Sequence, residues 1–411
     1  ISNIAPPPTQ TYRSFCLDKG PIDASSLVQF CRGIQSRLST LAILHRPLVF
    51  YTYSDSTCIT NTAMLLCSYL VLCEGFTPED AWQDFARISN LPLDNYHDAT
   101  FEAEPSFKLT VLDVLHGIAR AKSLHWLDVR SFDCTAWEAL YEKPMYDINV
   151  ICPKLVAMST PKDEPDKYSH ARPASGYVAR LLDIGVSDLV RFNDKLYDEQ
   201  AFTSSGITVH NLEFRDCTSP PAHVVKRFLD ICDTTDGRVA VHCLAGLGRT
   251  GTLIGVHLIK THGFSAVEAI GYMRVMRPGC VLGEQQEFLQ DVEASCAYDK
   301  WPGNLPSCLH QPRFRSLPEA PGGGARELLA PPEQDIDIEA TRLRNASDIQ
   351  AGQTRRMLKS DTFDLSVDEV SEIESSEEDT SISWEDSARP GHSEADANPK
   401  SQAPLKGFTS A

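Results

Sequence analysis

The chain has 411 residues, 42% of them hydrophobic and 23% charged, with a formal net charge of −18. That length exceeds one compact core and predicts two or three units, or two plus a tail. The composition excludes a chain disordered throughout, and the acidic balance disfavours a sequence-independent nucleic-acid binder while tolerating basic partners. The longest apolar run, residues 63–73, falls well short of the ~20 residues of a membrane span, so no membrane partner is expected. The chain begins at Ile1 rather than Met, as a fragment would, and no charged–apolar–small targeting pattern stands there. Thirteen cysteines without a Cys-x-x-Cys pair predict neither a disulfide nor a zinc framework, no metal or cofactor, and a reducing compartment.

In chain order, Leu41–Tyr53 carries a buried-strand run (Leu48, Val49, Phe50, Tyr51), and Thr62–Cys73 is a helical apolar stretch. Phe107–Lys122 has helical spacing through Leu109, Leu112, Leu115, Ile118 and Ala119. Val150–Met158 is strand-like, and Leu189–Phe192 and Val209–Phe214 are short apolar segments near turn residues. Pro221–Cys232 is a helix by its Val224, Val225, Phe228, Leu229, Ile231 face, and Arg238–His242 is a short buried strand. Thr250–His262 and Ser265–Met276 read as helices, with Ser265 capping the second ahead of Glu268. This alternation predicts an α/β fold with a mostly parallel sheet. The order strand, turn, helix occurs near residue 50 and again near residue 240, which suggests two similar domains in tandem.

The composition changes near Trp301. Residues 301–411 hold 11 basic and 20 acidic residues, a charge of −9, and 361–386 alone hold eleven acids, eight Ser or Thr and no Lys or Arg. Such a stretch buries too little apolar surface to offset its ordering entropy; it reads as a disordered acidic regulatory tail.

The stretch His242-Cys243-Leu244-Ala245-Gly246-Leu247-Gly248-Arg249-Thr250-Gly251 joins the buried strand to a helix. With 13 cysteines and 38 basic residues, about one Cys–five residues–Lys/Arg spacing arises by chance. Cys31/Arg37 and Cys232/Arg238 read as such coincidences, since the first has only Gly33 to shape a loop and the second encloses Asp233 and Asp236. Around Cys243 the context differs. Gly246 and Gly248 let the loop turn its N–H groups inward, and those groups with the helix N-terminus form an anion site that favours a thiolate at Cys243. Arg249 holds two oxygens of a dianion, and the Thr250 hydroxyl can donate to the departing thiolate. These are the requirements for attack on a phosphomonoester. The alkoxide leaving group needs a proton donor; Asp216, at a strand end in Phe214-Arg215-Asp216-Cys217-Thr218-Ser219-Pro220, is expected on the sheet edge that carries the Cys243 loop. His242 is an orienting or core histidine.

His242–Gly251 resembles the signature of the cysteine-dependent protein tyrosine and dual-specificity phosphatases. Phe214–Pro220, Val225–Cys232 and Arg277-Pro278-Gly279-Cys280-Val281-Leu282-Gly283-Glu284-Gln285-Gln286 narrow the resemblance to the cell division cycle 14 phosphatases of mitotic exit, with Arg191-Phe192-Asn193, Tyr197-Asp198 and Leu109–Asp113 extending it over roughly residues 12–300 and none of the tail. The resemblance implies two tandem dual-specificity-phosphatase folds, each a central mostly parallel sheet flanked by helices. The implied units are a non-catalytic domain at 10–130, a linker helix at 131–147, a catalytic domain at 148–300 and the tail at 301–411. The first domain's loop, Tyr51–Ser56, lacks the Cys–five–Arg signature. The resemblance also implies phosphoprotein substrates with phosphoserine-proline preferred and a basic residue downstream, an acid such as Asp198 in the groove, Gln285 as the glutamine that positions water, reversal of cyclin-dependent-kinase phosphorylation, and residence in nucleus and cytoplasm, at the spindle pole or centrosome. Glu138 and Glu142 are further candidates for the groove. Three departures bear on specificity: Leu244 where relatives carry Lys, Cys217 where they carry Gly, and Gln200-Ala201 where they carry a basic pair. Two other readings are a tensin-like phosphoinositide phosphatase, disfavoured by apolar Leu244 and Leu247 and by the −9 of residues 1–300, and a phosphoprotein-binding scaffold, disfavoured by the complete Cys243, Arg249, Asp216 set.

Overall fold

The computed structural model describes residues 2–4, 12, 14, 18–43, 48–99, 107–141, 146–163 and 172–297. The acidic tail and Glu142 lie outside the described residues.

The second half is built on a five-stranded sheet. Its strands are β3 (Ile148–Val150), β4 (Leu155–Ser159), β5 (Val186–Arg191), β6 (Thr208–Asn211) and β7 (Arg238–Cys243). The order is β3-β4-β7-β5-β6, with β3 antiparallel to β4 and every other pairing parallel. β7 sits centrally, and its Val239, Ala240 and Val241 are fully buried, as a strand covered on both faces requires. The continuous strand expected over Val150–Met158 is instead this hairpin: the Cys152-Pro153-Lys154 turn breaks it, closed by Ile151 N–H to the Leu155 carbonyl at 3.0 Å. Helices α6 (Ala174–Asp183), α7 (Gln200–Thr203), α8 (Ala222–Thr234), α9 (Gly248–His262), α10 (Ala266–Met276) and α11 (Glu284–Ala297) complete this half. Ser265 and Glu268 form the expected capping box at the start of α10, worth about 1 kcal/mol. Cys31 and Cys232, the two coincidental spacings, lie inside helices rather than on loops.

The first half is α/β with a smaller sheet than expected. Its described strands are one parallel pair, β1 (Ser2–Ile4) and β2 (Leu48–Phe50). Its apolar residues instead line helices α1 (Ala24–Ile43), α2 (Ser56–Tyr69), α3 (Pro78–Arg87) and α4 (Val111–Ser123), with α5 (Cys134–Tyr141) leading to the second half. A π-helical turn, Leu70–Glu74, prolongs α2. The apolar run of residues 63–73 is part of a longer continuous helix: Ser56–Glu74 has mean hydropathy 1.5 over a window that is 56% buried inside the protein, which makes it, by length and composition only, the one described helix apolar enough to cross a membrane. Its buried face packs here as the central helix of the first half.

The halves share one core cluster, from Ile22 through Val292. α4 and α10 pack so closely that a Cβ on Gly117 would stand 2.4 Å from the Glu268 carbonyl oxygen, a contact only glycine permits. Trp126, just past α4, stacks on Phe264 at 5.7 Å and tilts against Tyr272 at 6.1 Å. Arg120 donates to the His262 carbonyl, Nε at 3.2 Å. Farther along the seam the buried Asp98 accepts from the Gly283 N–H, ahead of α11. The first half therefore braces the elements that carry the site.

Candidate active site

Cys243 is the last residue of β7, paired in register with Ser159 on β4, and is 3% exposed. The next four residues turn the chain, and α9 begins at Gly248, two residues before Thr250 where the apolar pattern began it. Its N-cap position, Leu247, supplies no side-chain cap, so the first amides of the helix are left to a ligand or solvent. Gly246 has φ +67°, and a Cβ there would meet the Met158 carbonyl oxygen at 2.1 Å; glycine is required on both counts. Leu247 is buried in the core, whereas Leu244 and Ala245 are half-buried at the loop's rim.

Arg249, in the first turn of α9, is 5% exposed. Its Nη1 donates to the Phe192 carbonyl at 3.1 Å, at the end of β5, and to the Phe214 carbonyl at 2.9 Å, past β6. Its Nε lies 3.0 Å from the Asp216 carboxylate. That nitrogen makes no aligned hydrogen bond, so the pair is an ion contact with a donor still to satisfy. The structure thus brings Asp216 to the same sheet edge as the Cys243 loop, with its side chain 44% exposed. Cys217 follows at φ +56°, a left-handed conformation that glycine, its counterpart in the relatives implied above, adopts without the ~1–2 kcal/mol a side chain costs. Cys217 is exposed at the surface, yet the protein packed around its thiol and the Asp216 carboxylate push it up to about 11, so it is protonated at neutral pH.

Thr250 is fully buried, and its hydroxyl has no hydrogen-bond partner among the described residues. Gln285, on α11, is also buried; its Nε2 donates to the Thr218 carbonyl at 3.1 Å while its Oε1 has no partner among the described residues. A Cβ on Gly248 would stand 2.7 Å from that oxygen, so Gln285 spans the start of α9 and the Asp216 loop. His242 is buried with its pKa lowered to about 3, by burial first; the bond to Cys243 pulls upward, and the charges of Arg191 and Arg249 add smaller downward pushes. The ring is neutral at physiological pH. Its Nδ1 faces the Cys243 carbonyl at 3.4 Å and its Nε2 meets the Tyr197 hydroxyl at 2.8 Å. A carbonyl only accepts, so the proton belongs on Nδ1 and Tyr197 donates to Nε2. His242 supports the strand end and does not reach substrate.

Asp198 follows Tyr197 and is exposed. Its N–H donates to the Asp163 carboxylate at 2.9 Å, and its own Oδ1 accepts from the Gln200 N–H at 3.0 Å. Two acids therefore stand together on this rim. Arg191 holds the segment, donating to Glu199 at 3.1 Å and Asn211 at 2.7 Å. Glu138 is elsewhere: it accepts from Ser25 at 2.5 Å and Gln29 at 2.8 Å, pinning α5 to α1, and is a structural acid.

Sequence reasoning gave no role to Arg277, Asp147, Asn149 or Asp163. Arg277 is buried and bonds to Asp147, Asn149 and two carbonyls of the Cys243 loop. The signal was present as Asp147 and Asn149, two polar side chains alternating with Ile148 and Val150 just ahead of the strand-like Val150–Met158.

The comparisons with known proteins agree with this architecture. The family description "Dual specificity protein phosphatase, N-terminal half" matches residues 8–121, and "Dual specificity phosphatase, catalytic domain" matches residues 184–294. "Dual specificity protein phosphatase CDC14AB" of Danio rerio is 35% identical over 313 residues, covering 75% of this chain and 50% of its own length. "Tyrosine-protein phosphatase CDC14" of Saccharomyces cerevisiae is 35% identical over 288 residues, covering 68% and 52%. The chain thus spans about half the length of these curated relatives. The protein of the same name from Candida albicans is 31% identical over 403 residues, covering 90% of this chain and 73% of its own. Ninety per cent is more than residues 12–300 supply, so that likeness continues into the acidic stretch, further than the motifs alone carried it. On this evidence the chain belongs to the CDC14 family of dual-specificity protein phosphatases.

Proposed function

We propose that this chain is a cysteine-dependent protein phosphatase that hydrolyses phosphotyrosine and phosphoserine or phosphothreonine, with phosphoserine-proline preferred. The observation that carries the reading is the convergence at one sheet edge of Cys243, the loop amides, Arg249 and, 3.0 Å from Arg249, the Asp216 carboxylate. In the first step the Cys243 thiolate attacks phosphorus and forms an S–P bond. The ester P–O bond breaks, and protonated Asp216 donates its proton to the leaving oxygen. In the second step Asp216, now a carboxylate, takes a proton from water as that water attacks phosphorus; the S–P bond breaks and phosphate leaves. The loop amides and Arg249 stabilise the equatorial charge in both steps, and the buried Thr250 hydroxyl, without a partner among the described residues, is the proposed donor to the thiolate as it departs. The Arg249–Asp216 contact must loosen as phosphate enters, because both oxygens of the dianion compete for the guanidinium.

Turnover of an aryl phosphate is expected in excess chelator, with the label of a ³²P-phosphoprotein trapped on Cys243 by acid quench; a requirement for a divalent metal would overturn the assignment. Asp198 with Asp163 beside it, both exposed, supports preference for a basic residue downstream of the phosphate, by up to about 1 kcal/mol and less at high salt. The test compares one phosphoserine-proline peptide carrying Lys or Ala downstream on wild type and Asp198→Ala. Equal preference ratios would remove Asp198 from recognition. Reversal of proline-directed kinase phosphorylation during cell division, in the nucleus or at the spindle pole, is the cellular role this reading supports.

A further inference from the structure

An anion site made of backbone amides works only if the peptide planes face the right way. In a planar trans peptide the carbonyl of one residue and the N–H of the next point in opposite directions. Holding a loop's carbonyls on one side therefore aims its amides to the other. In the Cys243 loop three successive carbonyls are held. The Leu244 carbonyl accepts from the Thr160 N–H at 3.1 Å, past the end of β4. The Ala245 carbonyl accepts from Arg277 Nη2 at 2.9 Å, and the Gly246 carbonyl from Arg277 Nε at 2.7 Å. The Ala245 amide consequently turns away from Thr160, and the Gly246 and Leu247 amides turn away from Arg277.

Arg277 is itself fixed. It is 1% exposed; its Nη1 donates to Asp147 at 2.9 Å and to Asn149 at 2.7 Å, and its Nη2 reaches the second Asp147 oxygen at 3.3 Å. Asp147 is fully buried at the start of β3, with Arg172 3.9 Å away. Burial works against the Arg277 charge, but the charge and hydrogen bonds of the Asp147 carboxylate, with smaller contributions from its other neighbours, together hold the guanidinium protonated. A rigid planar fork is needed to serve two carbonyls and two side chains at once; a lysine ammonium lacks that geometry.

We infer that Arg277, clamped by Asp147 and Asn149, is a positioning residue that sets the peptide-plane orientation of the Cys243 loop and so builds its phosphate site from behind. The inference rests on the proposed phosphatase reading of that loop. Arg277 touches no substrate; it acts through the Ala245 and Gly246 peptides.

The test measures binding of inorganic tungstate, a tetrahedral oxyanion, by calorimetry, and kcat and KM on an aryl phosphate, with the urea unfolding midpoint of each protein. The proteins are full-length wild type, Arg277→Lys, Asp147→Asn and Tyr272→Phe. Tyr272→Phe is the control: it removes a buried hydrogen bond to the Ile151 carbonyl (2.6 Å) away from the loop. Arg277→Lys is expected to weaken tungstate ~10-fold or more and to lower kcat ~10²-fold, the scale of losing one oriented donor. Asp147→Asn is expected to weaken tungstate about three- to tenfold, since one arm of the clamp remains. Tyr272→Phe is expected to lower the unfolding midpoint while leaving both readouts within twofold. Should Arg277→Lys fail to fold, Asp147→Asn carries the test alone, on its own smaller expectation. Folded variants that bind tungstate as tightly as wild type would overturn the positioning role alone. A wild type with no tungstate affinity and no turnover would instead overturn the phosphate-loop reading, and the positioning role with it.

Discussion

The molecule contains two strand–loop–helix corners, and they end differently. In the first half β2 ends at Phe50 and α2 starts at Ser56. There the Asp55 side chain caps the helix by accepting from the Cys58 N–H at 2.9 Å. The Asp94 carboxylate then occupies the corner, accepting from Ser56 at 2.8 Å, Thr57 at 3.1 Å and Lys19 at 2.8 Å. Burial of Asp94 opposes ionisation, but the bonds from Lys19, Ser56 and Thr57 prevail and hold its carboxyl below the ordinary range. Cys58, in the first turn, is pushed up to about 11 by burial and by Asp55. In the second half no side chain caps α9, and the loop carbonyls are drawn back by Thr160 and Arg277. A helix N-terminus favours an anion in either place. One corner meets that preference with the protein's own carboxylates, and the other leaves its amides for an anionic ligand, on the proposed reading a phosphoryl group.

The largest test of this contrast is a pair of serine substitutions. Cys243→Ser should cut kcat by about 10⁵-fold or more while retaining phosphopeptide binding by calorimetry; Cys58→Ser should leave turnover unchanged. Residual activity in Cys243→Ser would erase the distinction between the corners. Asp216→Ala comes next: it should slow hydrolysis of an alkyl phosphate by about 10²–10⁴-fold, with a smaller loss for an aryl phosphate whose leaving group needs less protonation. Equal losses on both substrates would remove Asp216 as the acid.

Gly246→Ala probes the loop backbone. The left-handed φ alone costs about 1–2 kcal/mol, and the new Cβ collides with the Met158 carbonyl, so the unfolding midpoint should fall and kcat should drop by ~10²-fold as the loop shifts. A variant with wild-type kinetics would show that the loop geometry is not required. The smallest effect belongs to Asp94→Ala, expected to remove about 1 kcal/mol at neutral pH without changing kcat. Because the folded Asp94 carboxyl lies below its unfolded value, that contribution is complete above the unfolded carboxylate range and is lost as pH falls through the folded value. Wild type and variant should therefore converge in acid; a gap that persists at pH 2 by urea unfolding would show that packing, not charge, explains Asp94.

Some of this was legible in the sequence because it is local. The Cys243 loop lies within ten residues, and its glycines, arginine and strand–helix flanks state their chemistry through spacing alone. Ser265 and Glu268 spell out a cap, and apolar periodicity found α4, α8, α9 and α10, because those faces are buried at helical intervals. The narrow apolar faces of α3 and α6 left weaker traces, although Thr77-Pro78-Glu79-Asp80 is itself a helix start. The size of each sheet was not local at all, since a three-residue strand such as β2 or β3 takes its identity from the partner it pairs with. The same holds for the back of the site. Arg277 lies 31 residues from Gly246 and 130 from Asp147, separations across which no sequence period connects them. Folding alone brings them together, because a buried guanidinium must find acceptors wherever the tertiary structure supplies them. The sequence determined the Cys243 loop and the candidate nucleophile and proton donor; the tertiary structure decided which way the loop's amides face.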